Sequence, residues 1–252
     1  MPVTVSQLAI APVKGMRLQR VGEVQLGHHG VTGDREFLVT GQDGKLLLTS
    51  RTPALLQIEP AWDRVRNVLT LGFPGGDVVQ GTPEPGAPAT TRTYDGREIP
   101  GWIIPGRLGA ALSGYLGRPV HLFKRAPEHI GTDDQPVTLM SEASLHALAP
   151  ELNGAAPDPR RFRMTITITG TEAWAEHAWR EHKVTIGQVI LRVIAPVPRC
   201  VVTTRNPDSG ATDARILHAL ARLRGNNDIT LGVWCEIIQP GHIHVGDLVI
   251  PP

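Results

Sequence analysis

Glycine and proline interrupt this chain so often that long helices have no room, with 27 Gly and 22 Pro spread over 252 residues. Between the interruptions lie short runs with period-two alternation, the spacing that puts every second side chain on one face of a strand. VTVSQLAIAPV, RVGEVQL, EFLVT, KLLLTS and NVLTLGF are of this kind, joined by turn sequences such as GQDGK. This part of the chain reads as a meander of strands.

The stretch 81–105, GTPEPGAPATTRTYDGREIPGWIIP, is crowded with Pro, Gly and Thr and reads as a long loop or connection between lobes. A helix follows over RLGAALSGYLG, with Leu108, Ala111, Leu112, Tyr115 and Leu116 on one stripe. Ser141 is placed to cap a helix over SEASLHALA that Pro150 stops. In RMTITITG, Met164, Ile166 and Ile168 alternate with Thr165, Thr167 and Thr169, as in a half-buried strand. KVTIGQVILRVIAPV reads as a strand or hairpin, and Asp213 is placed to cap a short helix with Ile216, Leu217, Leu220 and Leu223 inward. Two or three strands close the chain around Pro240-Gly241. The fold class is mainly β with a few short helices, α+β, large enough for one β-rich domain or two packed lobes.

Charge excludes some functions. Lys and Arg number 25 against 24 Asp and Glu, a net charge of +1, so no overall field recruits nucleic acid or an anionic membrane. No apolar run is long enough to span a bilayer, and residues 1–20 lack the apolar core of a secretion signal. Two cysteines without a CxxC fit a reducing compartment, and a soluble, cytoplasmic protein is expected.

The two cysteines differ in setting. Cys235 shares strand parity with Leu231, Val233 and Ile237 and reads as an inert core residue. Cys200 follows Pro196-Val197-Pro198-Arg199, where prolines hold the backbone out of a regular central strand, and its thiol is expected at a cleft. Arg199 and Arg205 both favour thiolate, the state that attacks electrophiles or binds a soft metal. On this pattern alone Cys200 is equally readable as a packing residue. Lys14 in IAPVKG and Arg35 in GVTGDREF lie in glycine-bearing turns beside apolar strands, whereas Arg51 and Arg160 read as solvated surface charges. No phosphate-binding Gly-Lys-Ser/Thr loop follows GHHGVTGD, no GxSxG elbow is present, and the histidine pairs lack the spacing and acidic partner of a metal site.

IAPVKG, GVTGDREFLV, LTSRTPALLQI, LMSEASLHAL, RRFRMTITITG, RCVVTTRNPDSG and GHIHVGDLV, in that order, resemble the MOSC family, named after the C-terminus of molybdenum cofactor sulfurase. Within it the likeness is to the mitochondrial amidoxime-reducing component and its bacterial counterparts, and it runs over residues 2 to about 250. It implies a β-barrel MOSC domain over 106–252, packed with an N-terminal β-barrel-like region over 1–105.

The resemblance also implies site residues. Cys200 becomes a ligand to molybdenum beside the pterin dithiolene, with Arg199 next to it; Lys14, Gly15, Arg35, Ser141, Arg163 and Thr165 become contacts of the molybdenum cofactor (molybdopterin). This chain has Gly15 where relatives often carry Ser, and Met164-Thr165 where they often carry Pro-Asn. The implied activity is reduction of small N-hydroxylated substrates, with electrons from a separate ferredoxin-like or flavin reductase protein. Two alternatives stand beside it: a sulfur carrier using a Cys200 persulfide, and a non-catalytic cofactor carrier. Pyridoxal phosphate enters only through the fused sulfurase of the family, since no Schiff-base lysine motif is present.

Overall fold

The computed structural model describes residues 2–252, arranged as a large curved sheet that meets smaller sheets packed at its side. The large sheet has eight strands in the spatial order Val249–Ile250, Lys183–Ile186, Val189–Pro198, Thr230–Gln239, Val137–Ser141, Ile166–Thr169, Thr4–Ile10 and Gln19–Val21. Its neighbours pair antiparallel except Val137–Ser141 against Ile166–Thr169. The ladder is not closed. A bridge between Thr4 and Leu248, together with Val5 N–H to Asp247 and Val249 N–H to Val3, ties one end of the sheet back toward the other and gives a barrel-like curl.

Inside the curl lie Val5, Leu8, Leu139, Ile166, Ile168, Leu191, Val193, Val233 and Cys235, all essentially without solvent exposure. Each such side chain contributes about 1.5–3 kcal/mol on burial, so this cluster sets the register of the strands that carry the site.

A second core belongs to the four-stranded sheet Phe37–Gly41, Val120–Arg125, Glu98–Ile104 and Pro88–Arg92, with the three-stranded sheet Glu59–Asp63, Val68–Gly72 and Val78–Gly81. The helix Arg107–Leu116 covers it through Leu108 and Leu112 and ends on Gly117 in the left-handed conformation. The halves interleave: Thr4–Ile10 pairs within the large sheet, while Val120–Arg125 pairs with Phe37–Gly41.

Several sequence expectations need correction. Residues 81–105 are mostly strand, not loop, because Pro88 starts an edge strand, where a missing N–H is tolerated. KLLLTS makes only a bridge from Leu46 to Thr40 before the chain turns at Leu48 toward the 3₁₀ segment Pro53–Gln57. Ile166–Thr169 is a central strand whose Thr167 is as buried as its isoleucines, so polar threonines there mark a two-sided interior position. Asp213 does not cap the helix Ile216–Arg224; it pairs with Arg161, and Ala219 rather than Leu223 turns inward. The alternating pattern elsewhere is matched by strands, including the hairpin Lys183–Ile186 and Val189–Pro198 and the closing strands around Pro240.

Candidate functional site

Strand Thr4–Ile10 delivers Lys14 through a tight turn in which the Lys14 N–H donates to Phe37 and that of Met16 to Val13. Gly15 has φ +88°, and a Cβ there would stand 2.7 Å from Thr49 Oγ1, so the turn needs glycine for space and for conformation. Lys14 Nζ donates to the Gly131 carbonyl at 2.9 Å and to Asp133 at 2.6 Å. Burial lowers the Lys14 pKa from its ordinary value; Asp133 opposes this, and the charges of Arg35 and Arg97 add to it.

Arg35 is buried, with a left-handed backbone at φ 48° fixed by its N–H bond to the Ala11 carbonyl. Its guanidinium pairs with the buried Asp34 carboxylate and donates to the carbonyl of Arg163 at 3.1 Å. Arg125, also buried, donates to the Arg35 carbonyl at 3.0 Å and holds this corner from behind.

Arg163 ends the 3₁₀ segment Pro159–Phe162 in the left-handed region, φ 56°. Among the described residues its Nη2 is buried without a hydrogen-bond partner. Burial, then the charge of Arg35, lowers its pKa to about 10. Arg199 is its counterpart on strand Val189–Pro198's end: it donates to the Phe162 carbonyl, lies over the Phe162 ring with 5.4 Å between guanidinium carbon and ring centroid, and leaves Nε buried and unpartnered. Burial takes it, too, to about 10, against the opposing charges of Cys200 and Asp133.

Cys200 is exposed, in extended backbone at the start of the 3₁₀ turn Val201–Thr204, and its carbonyl accepts from Thr203 N–H and Oγ1. Cys235, by contrast, is fully buried with its thiol pushed up to about 12.

Lys14, Arg35, Arg163 and Arg199 thus all act on one carboxyl, that of Asp133. Its carboxyl is half exposed; desolvation by its neighbours opposes ionisation, but the charge and hydrogen bond of Lys14, followed by the charges of Arg35 and Arg163, outweigh that and hold its pKa below the ordinary range. Arg97 clamps the same loop through the carbonyls of Ile130, Thr132 and Asp133 at 3.1, 2.5 and 3.3 Å. Desolvation, followed by the charges of Asp133, Asp95, Asp134 and Cys200, raises the pKa of Tyr94, on the same hairpin as Arg97. Sequence reasoning missed Asp133, Arg97 and Tyr94; no spacing rule connects YDGRE, GTDDQ and RCVV, and only the folded chain brings them together.

Ser141 and Thr165 lie differently. Ser141 is completely buried, caps the helix Glu142–His146 by accepting from Ser144 N–H at 3.0 Å, and shares a network with Ser144 and Glu176. Burial raises the pKa of Glu176 despite those hydrogen bonds. Thr165 is 1% exposed, its N–H bonded to Thr138 Oγ1 and its carbonyl to Ala9 N–H. Both hydroxyls are engaged locally, that of Ser141 with Ser144 and that of Thr165 with Thr138 Oγ1 at 3.3 Å. Among the described residues, no group of His, Cys, Asp and Glu has the arrangement of a metal cage, and no helix is long and apolar enough to cross a membrane.

Comparison with known families decides the relationship. The MOSC domain matches residues 126–250 and the MOSC N-terminal beta barrel domain matches residues 2–111. The mitochondrial amidoxime-reducing component 1 of Xenopus laevis is 30% identical over 285 residues, covering 97% of this chain and 81% of that protein. The chain belongs to the MOSC family. The human mitochondrial amidoxime-reducing component 1 is 27% identical to this MOSC protein, over 98% of it. The human molybdenum cofactor sulfurase is 24% identical over 99% of this chain, which spans only 32% of that relative's length. Among solved structures, the YUAD protein from Bacillus subtilis shares the fold of this MOSC protein, with a TM-score of 0.50 at 12% identity over 99% of this chain and 94% of that one.

Proposed function

We propose that this protein binds the molybdenum cofactor and reduces small N-hydroxylated compounds with electrons from a separate redox protein. One observation carries the reading: the exposed thiol of Cys200 follows Arg199 in a cluster of buried and half-buried cations, two of which, Arg163 and Arg199, each keep one buried N–H group without a partner. Buried unpartnered guanidinium groups are costly, and an anionic ligand relieves them. A pterin dithiolene with a phosphate tail is anionic and carries several acceptors, and a soft thiolate suits molybdenum, so the residues present fit the group. Relatives named for amidoxime reduction and for the molybdenum cofactor support the same reading.

In this reading Cys200 holds the metal, while Lys14, Arg35, Arg163 and Arg199 hold the anionic edge of the cofactor. When bound, the cofactor supplies two-electron removal of the oxygen of an N–OH group. The balance requires two electrons from the partner protein and two protons, and releases water and the reduced nitrogen compound. Arg35 and Arg163 fix each other through the guanidinium–carbonyl bond, so the anion receptor is organised before ligand arrives. Lys14, hydrogen-bonded to the Gly131 carbonyl and to Asp133, ties the 131–133 loop to the edge of the cluster. Ser141 and Thr165 act through the backbone positions they fix.

The test is Cys200→Ala, assayed for molybdenum content and for turnover of a benzamidoxime with a reconstituted donor. Loss of both supports the reading. Cyanide-releasable sulfur on Cys200 in metal-free wild type would instead favour the persulfide carrier, and tight cofactor capture without turnover would favour a carrier module.

A further inference from the structure

A cavity of ≈ 30 Å³ lies beside the site, lined by Arg17, Arg160, Arg161, Arg163 and Arg205 with Leu56 and Val202 as apolar wall. These guanidinium groups come from both halves of the chain. Arg17 pairs with Glu59 and Asp208, Arg160 with Asp158 and Asp208, and Arg161 with Asp213. Among the described residues Arg163 and Arg205 make no ion pair; Arg205 reaches only carbonyls, those of Gly210 at 3.2 Å and Ser50 at 3.5 Å. Arg17 Nε, Arg163 Nη2 and Arg205 Nε are each buried with no hydrogen-bond acceptor.

Native proteins rarely leave such donors unmet. A water molecule fits the space but neutralises no charge and cannot accept from three guanidinium groups at once. A carboxylate offers two oxygens. A tetrahedral oxyanion offers acceptors in several directions and the negative charge that two unpaired arginines lack. We infer that this arginine-lined cavity is a binding site for a phosphate-sized oxyanion, formed by Arg17, Arg163 and Arg205. The occupant is a free oxyanion from solution, and Arg163 lines both this cavity and the cluster beside Cys200. Arg205, which lies five residues after Cys200 and is given no contact to the cofactor above, is a recognition residue. The inference does not rest on molybdenum, because inorganic phosphate reports on the cavity in metal-free protein.

The experiment is thermal unfolding of the cofactor-free full chain with inorganic phosphate, against chloride at equal ionic strength. Wild type should gain stability in phosphate with saturation. Arg205→Met should weaken that response about tenfold, whereas Lys14→Met should keep it. Arg205→Lys, which retains charge and loses the fork, serves if Arg205→Met fails to fold, and should also weaken the response. Equal midpoints in phosphate and chloride for wild type would overturn the inference. So would loss of the response in Lys14→Met with full response in Arg205→Met. Cofactor-loaded protein that still responds to added phosphate supports a separate oxyanion site, and loaded protein that ignores it would overturn that by making the cavity part of the cofactor's own site.

Discussion

The guanidinium of Arg35 donates to the backbone carbonyl of Arg163 across 3.1 Å, joining positions 128 apart in sequence. Both residues have left-handed backbones, a conformation that costs a side-chain-bearing residue about 1–2 kcal/mol. The two cations differ in compensation. Arg35 is paired with the buried Asp34, while Arg163 has a buried N–H with nothing to receive it. Arg35→Met leaves the buried Asp34 carboxylate with no cation and only the Ala11 N–H at 2.7 Å, and should destabilise the cofactor-free protein by about 3 kcal/mol. Arg163→Met removes a cation that makes no direct ion pair and buries an N–H without an acceptor, and should stabilise the protein by about 1 kcal/mol, while cofactor retention falls roughly tenfold. Urea unfolding of both variants reads the signs; a destabilised Arg163→Met contradicts the account of an anion receptor held at a cost to stability.

Gly131 lies where the loop carrying Asp133 crosses Arg35. A Cβ there would stand 2.3 Å from the Arg35 carbonyl oxygen and 2.7 Å from the Arg35 Cβ. Gly131→Ala must therefore push the loop away, breaking the Lys14 bond to the Gly131 carbonyl. We expect a loss of about 1–3 kcal/mol and weaker cofactor retention, measured by unfolding midpoint and metal content.

The two thiols should separate cleanly. In native protein a maleimide should label Cys200 alone, with Cys235 reacting only on unfolding, as mass spectrometry of labelled peptides would show. Cys200→Ser should change stability by less than about 0.5 kcal/mol. Cys235→Ser buries a hydroxyl among Val137, Val193 and Val233 and should cost about 1–3 kcal/mol.

Acid sensitivity has a named contributor. Burial, reinforced by Arg224 and opposed by Asp228, lowers the His177 pKa from 6.5 to about 4. The unfolded chain binds this proton near pH 6.5 and the folded one only near 4, so the stability linked to His177 is complete above pH 6.5 and is lost as pH falls toward 4. The neighbouring Glu176, its pKa raised by burial, has the opposite sign: its contribution is present at low pH and lost as pH rises through its folded value. The difference in unfolding free energy between wild type and His177→Gln across this range isolates the histidine, and parallel curves would exclude its part.

Much of the fold was legible because period-two runs between glycines and prolines leave few alternatives to strands. Cys235 was placed by parity alone, and Ser141 by its position ahead of a helical stripe. Residues 81–105 misled because edge strands tolerate prolines that central strands do not. Thr165 and Thr167 misled because both are buried on the side expected to face solvent, with the Thr165 hydroxyl taken up by Thr138. At the site, glycine-bearing turns flagged Lys14 and Arg35, since local chain geometry was visible there. Asp133, Arg97 and the Arg17–Arg205 cavity were invisible, because they depend on long-range pairing of a loop, a hairpin and a 3₁₀ turn that no local pattern encodes.

The central claim is that the exposed thiol and the cationic cluster of Lys14, Arg35, Arg163 and Arg199 form one receptor for a molybdenum cofactor. Molybdenum per chain, measured by elemental analysis on wild type and Cys200→Ala purified from a molybdenum-replete host, tests it most directly. The account predicts about one molybdenum per wild-type chain and near-background metal in the variant. Equal metal in both proteins, or none in wild type from a host that loads other molybdenum enzymes, would contradict it.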